Sequence, residues 1–239
     1  MSALILKDIS HLVSQVPESV SGVPIAVRIE KVFEKMDKYS GHLIRSKLQK
    51  KIFDSFLSRL DGKKALVVLD FKMKFLYRVF RESQSAFFGQ RGNSNLGIVF
   101  IFKPDPNSED IHIEYLDFFC NEDTTQDWFF VSSALQIANR QFKERHPSME
   151  EEFLITDNGG CFHSSGFILW CQYSYSLTKI KILEYAFFEA GEGKSVCDQH
   201  FKRWDDKIAK QIASGKNVSN PKEVSEALKG LSGHCIQIF

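Results

Sequence analysis

The chain has 239 residues, 43% hydrophobic and 26% charged, with a formal net charge of +1. Such values fit a soluble globular protein of one large domain, with or without a helical extension, and exclude a polycation. No apolar stretch approaches the roughly 20 residues needed to cross a bilayer, and "MSALILKDIS" meets Asp8 too early for a secretory signal, so the five scattered cysteines read as reduced thiols of an intracellular protein.

Charge is uneven along the chain. Gly41 to Arg91 carries 12 Lys/Arg against 4 acids, and Asp105 to Asp157 carries 13 acids against 3 Lys/Arg. A basic segment beside an acidic one suits a nucleic-acid surface near a metal centre; solvated faces of opposite sign explain it as well.

In chain order, "KDISHLVSQV" and "RIEKVFEKMDKYS" suggest two short helices. "HLIRSKLQKKIFDSFLSRLDG" is a stronger helix, with Leu48, Ile52, Phe56 and Leu60 on one stripe, Phe53 and Leu57 beside it, and Asp61-Gly62 at its end. "ALVVL", ending at Asp70, is a buried strand; "NLGIVFIFK" and "IHIEYLDFF" are two more, and the short connections predict an antiparallel meander. Trp128, Val131, Leu135, Ala138 and Phe142 keep helical spacing, with Thr124 or Thr125 as the cap and His146-Pro147 as the stop. "EEFLIT" is a fourth strand, ending at Asp157, with a short helix from Ser164 or Ser165 behind it. "KILEYAFFEA" is a fifth strand; "EGKSVCDQHFKRWDDKIAKQIASG" and "NPKEVSEALKG" are helices, and "HCIQIF" starts a strand. Residues 1–62 are thus expected as a helical N-terminal segment, 63–215 as an α/β core, and 216–239 as a C-terminal helix with a strand left unfinished, as in a fragment.

Three antiparallel strands followed by strands alternating with helices is the order of the ribonuclease H-like mixed sheet. In that fold the first and fourth strands are neighbours, which would bring Asp70 and Asp157 together. Asp198, in the first turn of the helix after the fifth strand, could complete a cluster. Carboxylates so close repel, and one takes up a proton unless a cation intervenes. Two Mg²⁺ or Mn²⁺ ions relieve the conflict and suit phosphodiester chemistry. The plain alternatives are that an Asp closing a strand begins a turn, and that Asp198 caps its helix in "SVCD".

"TDNGGCFHSSGF" resembles the second-acid motif of the DDE/D transposase and retroviral integrase superfamily, and "EAGEGKSVCDQHFKRW" resembles its third-acid motif. The order of segments over residues 41–215 is similar to that of eukaryotic transposon-derived proteins. The resemblance implies a metal-dependent polynucleotidyl transferase that cleaves and joins DNA in the nucleus, with Asp70, Asp157 and Asp198 as the acids. It implies phosphate contacts from Lys194, and for Asn158 a role in fixing the turn or orienting a water. Arg45, Lys47, Lys72 and Lys74, in the basic stretch, would add phosphate contacts. Gly159 and Gly160 would let backbone approach the site. The superfamily more often uses Glu as third acid, which makes Glu189 and Glu192 rivals of Asp198. DNA is the expected partner, with a homo-oligomer compatible and no membrane or small-molecule cofactor. Two alternatives stay open: a catalytically inactive DNA- or protein-binding module, and a ribonuclease H-like nuclease that cuts without joining. Cys161-x-His163 with Cys197-x2-His200 is a poor match to zinc spacing. Trp128 and Trp204 read as helix anchors rather than base platforms.

Overall fold

The computed structural model describes residues 25–90, 92–105, 107, 109–119, 125–188, 196–231 and 234–238. Two compact units divide between Leu48 and Gln49. Helix α1 (Ile25–Ser58) replaces the expected pair "RIEKVFEKMDKYS" and "HLIRSKLQKKIF" with one 34-residue helix. Gly41 lies inside it, since a single interior glycine costs only about 1 kcal/mol. "KDISHLVSQV" lies outside the described residues. In the first unit α1 carries a Glu34–Lys38 ion pair of 2.7 Å one turn apart.

The second unit contains β1 (Lys64–Phe75), α2 (Gln84–Gly89), β2 (Asn93–Phe102), β3 (His112–Phe119), α3 (Trp128–Arg145) and β4 (Glu151–Asp157). After these come α4 (Ser165–Tyr173), α5 (Tyr175–Thr178), β5 (Lys181–Phe188), α6 (Val196–Ala213), α7 (Pro221–Leu228) and β6 (His234–Ile238). The strands form one sheet in the order β5-β4-β1-β2-β3-β6. β1–β2 and β2–β3 are antiparallel, while β1–β4, β4–β5 and β3–β6 are parallel. This is the ribonuclease H-like mixed sheet, with β6 added beside β3.

The centre of the sheet is covered on both faces, which is why β1 reads as an unbroken apolar run rather than an alternating one. Ala65, Val67 and Leu69 point to the α3/α4 face, where they join Phe100, Phe142 and Phe167. Leu66 and Val68 point to the opposite face, against Phe56, Phe153, Cys197 and Phe201. A third cluster, around Phe119, Trp204, Ile208 and Val224, ties α6 to α7. On the expected stripe Leu48 and Ile52 are 52% and 39% exposed; burial begins with Phe53, partly, and Phe56, and Leu60 is buried just beyond the end of α1. Phe56 stacks on Phe153 with ring centroids 4.6 Å apart.

α3 starts later than expected. Its cap is Asp127, whose carboxylate accepts the Phe130 N–H at 2.8 Å, not Thr124 or Thr125. An ionised oxygen at the positive end of a helix is a stronger acceptor than a hydroxyl. Ser164 caps α4 and Asn220 caps α7.

α6 seats on the sheet through Phe201, and β2 makes room with Gly97. A Cβ there would stand 2.7 Å from Phe201 Cζ. Gly97→Val is therefore expected to lower stability by roughly 2–3 kcal/mol, read as a lower denaturant midpoint with unchanged slope. An unchanged midpoint would show that α6 does not rest on this strand.

Two polar contacts are buried in the layers. His200 Nε2 lies 2.7 Å from Asp117 Oδ2 between α6 and β3, with Tyr115 stacked on the imidazole at 4.1 Å. Trp204 Nε1 is 3.2 Å from the same nitrogen. One nitrogen cannot donate to Asp117 and accept from Trp204 at once, and the shorter contact with the carboxylate is the stronger. On the other face Asn139 Nδ2 donates to Glu152 Oε1 at 2.9 Å, between α3 and β4.

Candidate active site

The parallel register of β1 and β4 pairs Leu69 with Thr156, so Asp70 and Asp157 follow as the next neighbours. By the two-residue period of a strand both belong to the face of Val68 and Ile155, the one α6 covers. α6 arrives there through Cys197, buried, whose thiol donates to the Val68 carbonyl at 3.7 Å. Asp198 is the next residue. Three elements thus deliver one acid each to the point where the β1–β4 pairing stops; β1 itself does not end at Asp70, as the sequence suggests, but runs on to Phe75 in pairing with β2.

The electrostatics agree with this placement. The Asp70 carboxyl is pushed up to about 7, first by burial, then by the charge of Asp157 and that of Asp198. Asp157 and Asp198 are themselves exposed. Asp157 Oδ1 accepts the Gly159 N–H at 2.9 Å, closing a turn at the strand end. A Cβ on Gly159 would meet that same oxygen at 2.9 Å, while one on Gly160 would meet nothing within 4 Å. The first glycine is required by the carboxylate it holds; the second leaves open space.

Three carboxylates offer the hard oxygen donors that Mg²⁺ or Mn²⁺ prefers, and Asp70 carries the like-charge conflict a divalent cation would relieve. The fit is one of charge and donor type. Among the described residues no three His, Cys, Asp or Glu side chains stand close enough together to hold a metal ion, so the trio is open rather than a closed cage. The same holds for the zinc combination: His163 Nδ1 faces the Asn158 carbonyl at 3.1 Å, and His200 engages Asp117.

The basic residues divide. Lys72 is enclosed, with its ammonium 2.8 Å from Asp205 and 5.5 Å from the Phe201 ring centre, so its charge helps fasten α6 to β1. Lys74 and Asn158 are exposed in the second unit; Arg45 and Lys47 are exposed on α1 in the first. Lys194, Glu189 and Glu192 lie outside the described residues.

An open groove of about 530 Å³ adjoins Asp157 and is also lined by Phe71, Asp127, Trp128, Cys161 and Phe162. Trp128 differs from its expected role as a helix anchor: it is 40% exposed, whereas Trp204 is fully buried. It precedes the first buried residue of α3, Val131, and so stands at the rim of the layer. The sequence carried a sign of this groove in Gly166, whose Cβ would stand 2.6 Å from the Trp128 indole. The burial of Asp117, Asn139, Glu152 and His200 left no such sign, because polar residues in strands and helices ordinarily face water.

Residues 49–237 match the family model described as "Domain of unknown function (DUF8701)". No curated protein matches the chain. Among solved structures, the Mos1 transposase paired-end complex with left transposon end is 13% identical, with a TM-score of 0.41, covering 77% of this chain and 52% of that one. The chain therefore spans about half the length of the transposase it matches. The human cytomegalovirus terminase nuclease domain is 12% identical, with a TM-score of 0.34, covering 74% of this chain and 66% of that one. LC9-RNase H1, a type 1 RNase H with the type 2 active-site motif, is 11% identical, with a TM-score of 0.36, covering 73% and 87% respectively. No helix among the described residues is long and apolar enough to cross a membrane.

Proposed function

The chain belongs to the DUF8701 family, and for it we propose a metal-dependent polynucleotidyl transferase that cleaves and joins DNA. The observation that carries this reading is Asp70, half-buried within β1 just past its last pair with β4, its carboxyl pushed up to about 7 first by burial and then by two further acids from β4 and α6. Asp70, Asp157 and Asp198 would hold two Mg²⁺ or Mn²⁺ ions. Bound there, such ions supply the charge that activates a hydroxyl and stabilises a leaving oxygen at a phosphodiester. The chain's own residues do the rest. The Gly159 N–H keeps the Asp157 carboxylate in one orientation. Gly160, with nothing within 4 Å of where a Cβ would stand, leaves the groove beside the strand end open. Lys74, Arg45, Lys47 and Lys194 would contact phosphates, so DNA affinity should fall steeply with salt.

Asp157→Ala is expected to lower Mn²⁺-dependent nicking of supercoiled DNA at least about a hundredfold, without loss of the fold. Nicking at the wild-type rate would sink the reading. Joining of supplied 3′-hydroxyl ends separates a transferase from a nuclease that only cuts. The open spacing of the acids favours a second reading, a DNA- or protein-binding module without catalysis. Cation-independent DNA binding with no nicking by the wild type would establish that one instead.

A further inference from the structure

We propose that the groove beside Asp157 is a nucleobase subsite, taking an unpaired base that bears an exocyclic amine, stacked on Trp128 and hydrogen-bonded to Asp127. This deepens the nucleic-acid reading above and rests on it. The groove, at about 530 Å³, falls within the range of roughly 300–1,000 Å³ usual for small-ligand sites. Its aromatic wall is fixed in place. The indole of Trp128 lies so close over Gly166 that a Cβ there would meet its ring atoms at 2.6 and 2.7 Å. Phe129 stands edge-on to it, 6.0 Å away at 90°. A large side chain that is 40% exposed yet wedged between backbone and a second ring is a stacking platform needing little ordering on binding.

The polar lining selects what stacks there. Among the described residues lining the groove, the charged ones are Asp127 and Asp157, and none is Lys or Arg. That combination repels phosphate and attracts hydrogen-bond donors. A base amine is such a donor, carried by adenine, cytosine and guanine but not by thymine. Asp127 is held for this role by the Phe130 N–H, 2.8 Å from its Oδ1. A base that turns its pairing edge to Asp127 must be unpaired. Because Asp157 belongs to both the groove and the acid trio, a base seated here connects to the candidate centre through its own backbone.

The test is binding of labelled dA6, dC6 and dT6 to the full chain, in EDTA at fixed salt, by fluorescence anisotropy. Wild type should bind dA6 and dC6 more tightly than dT6. Trp128→Ala should weaken dA6 binding roughly 5- to 100-fold, while Trp128→Phe keeps most of the affinity. Asp127→Asn, which still caps α3, should narrow the preference of dA6 over dT6. If Trp128→Ala folds poorly, the Asp127→Asn ratio decides. The proposal is overturned if wild type binds none of the hexamers, if Trp128→Ala binds dA6 like wild type, or if Asp127→Asn keeps the full preference. Failure of the transferase reading looks different: hexamer binding stays dependent on Trp128, yet no cation-dependent nicking is seen.

Discussion

Replacing Asp70 with Asn is expected to abolish cleavage and, at the same time, to make the protein more stable at pH 8. The folded carboxyl sits at about 7, against an ordinary value of 3.8. Between these values the folded state holds a proton that the unfolded chain has released. Stability from this group therefore falls as pH rises from about 4 to about 7, and the full cost is present above that window. A rise of about three units corresponds to roughly 4 kcal/mol, reduced by the contact the carboxyl keeps with water. Asn cannot ionise, so the variant should gain roughly 2–4 kcal/mol at pH 8 and nothing at pH 4. Mn²⁺ should raise the wild-type melting temperature, with affinity climbing about tenfold per pH unit below 7, and should leave Asp70→Asn unmoved. Parallel stability–pH curves for the two proteins would refute the raised Asp70 carboxyl.

Glu152 should produce the second large effect, in the core rather than at the site. It is fully buried, and burial pushes its carboxyl up to about 7, against the pull of its bond to Asn139. Glu152 Oε2 and Asn139 Oδ1 are both buried with no hydrogen-bond partner among the described residues. Two acceptors left facing nothing are costly, but one proton resolves both. A neutral Glu152 can donate from Oε2 to Asn139 Oδ1 while Asn139 Nδ2 donates back to Oε1, closing an acid–amide ring. Glu152→Gln preserves that ring with an amide in place of the acid and should be nearly neutral at pH 6. It should gain stability over wild type above pH 7, where the raised carboxyl would otherwise ionise in the core. Glu152→Ala leaves a cavity and an orphaned amide and should lose roughly 3 kcal/mol or more. Denaturant midpoints at pH 6 and 8 for all three proteins give the answer; a Gln variant as damaged as the Ala variant would rule the ring out.

The fold was readable from the sequence where one physical signal dominated. "ALVVL" and "FLI" are apolar throughout because they run at the centre of the sheet, covered on both faces. That they are neighbours is expected from the fold the strand order suggests; the structure adds that they pair in parallel. The cap of α3 is not legible in the sequence, because Thr124, Thr125, Gln126 and Asp127 all carry side-chain oxygens and only geometry selects Asp127. α1 runs unbroken through Gly41 where the sequence suggests two helices: one interior glycine costs about 1 kcal/mol, which a 34-residue helix absorbs. At the site, the sequence points to Asp70, Asp157 and Asp198 through the acids that follow apolar runs and open a helix, and Asp70 feels the charge of the other two, although β1 continues past it to Phe75. Lys72 counted as basic surface in the sequence, but Asp205, far along the chain, claims its charge.

The pairing of β6 with β3 carries a consequence for how the chain is made. Tyr115 to Phe119 find their parallel partners only at His234 to Ile238, and β4 must add beside β1 across the whole meander. A ribosome delivers β1, β2 and β3 as a hairpin stack long before either flanking strand exists. For that interval both outer strands expose unpaired backbone, one of them rich in phenylalanine and tyrosine. Neither edge closes before the chain has travelled far beyond it, so folding is set by long loop closures rather than local contacts. The nascent chain is thus most prone to aggregate after β3 emerges and before β6 does, and a chaperone that shields open strand edges would act in that interval.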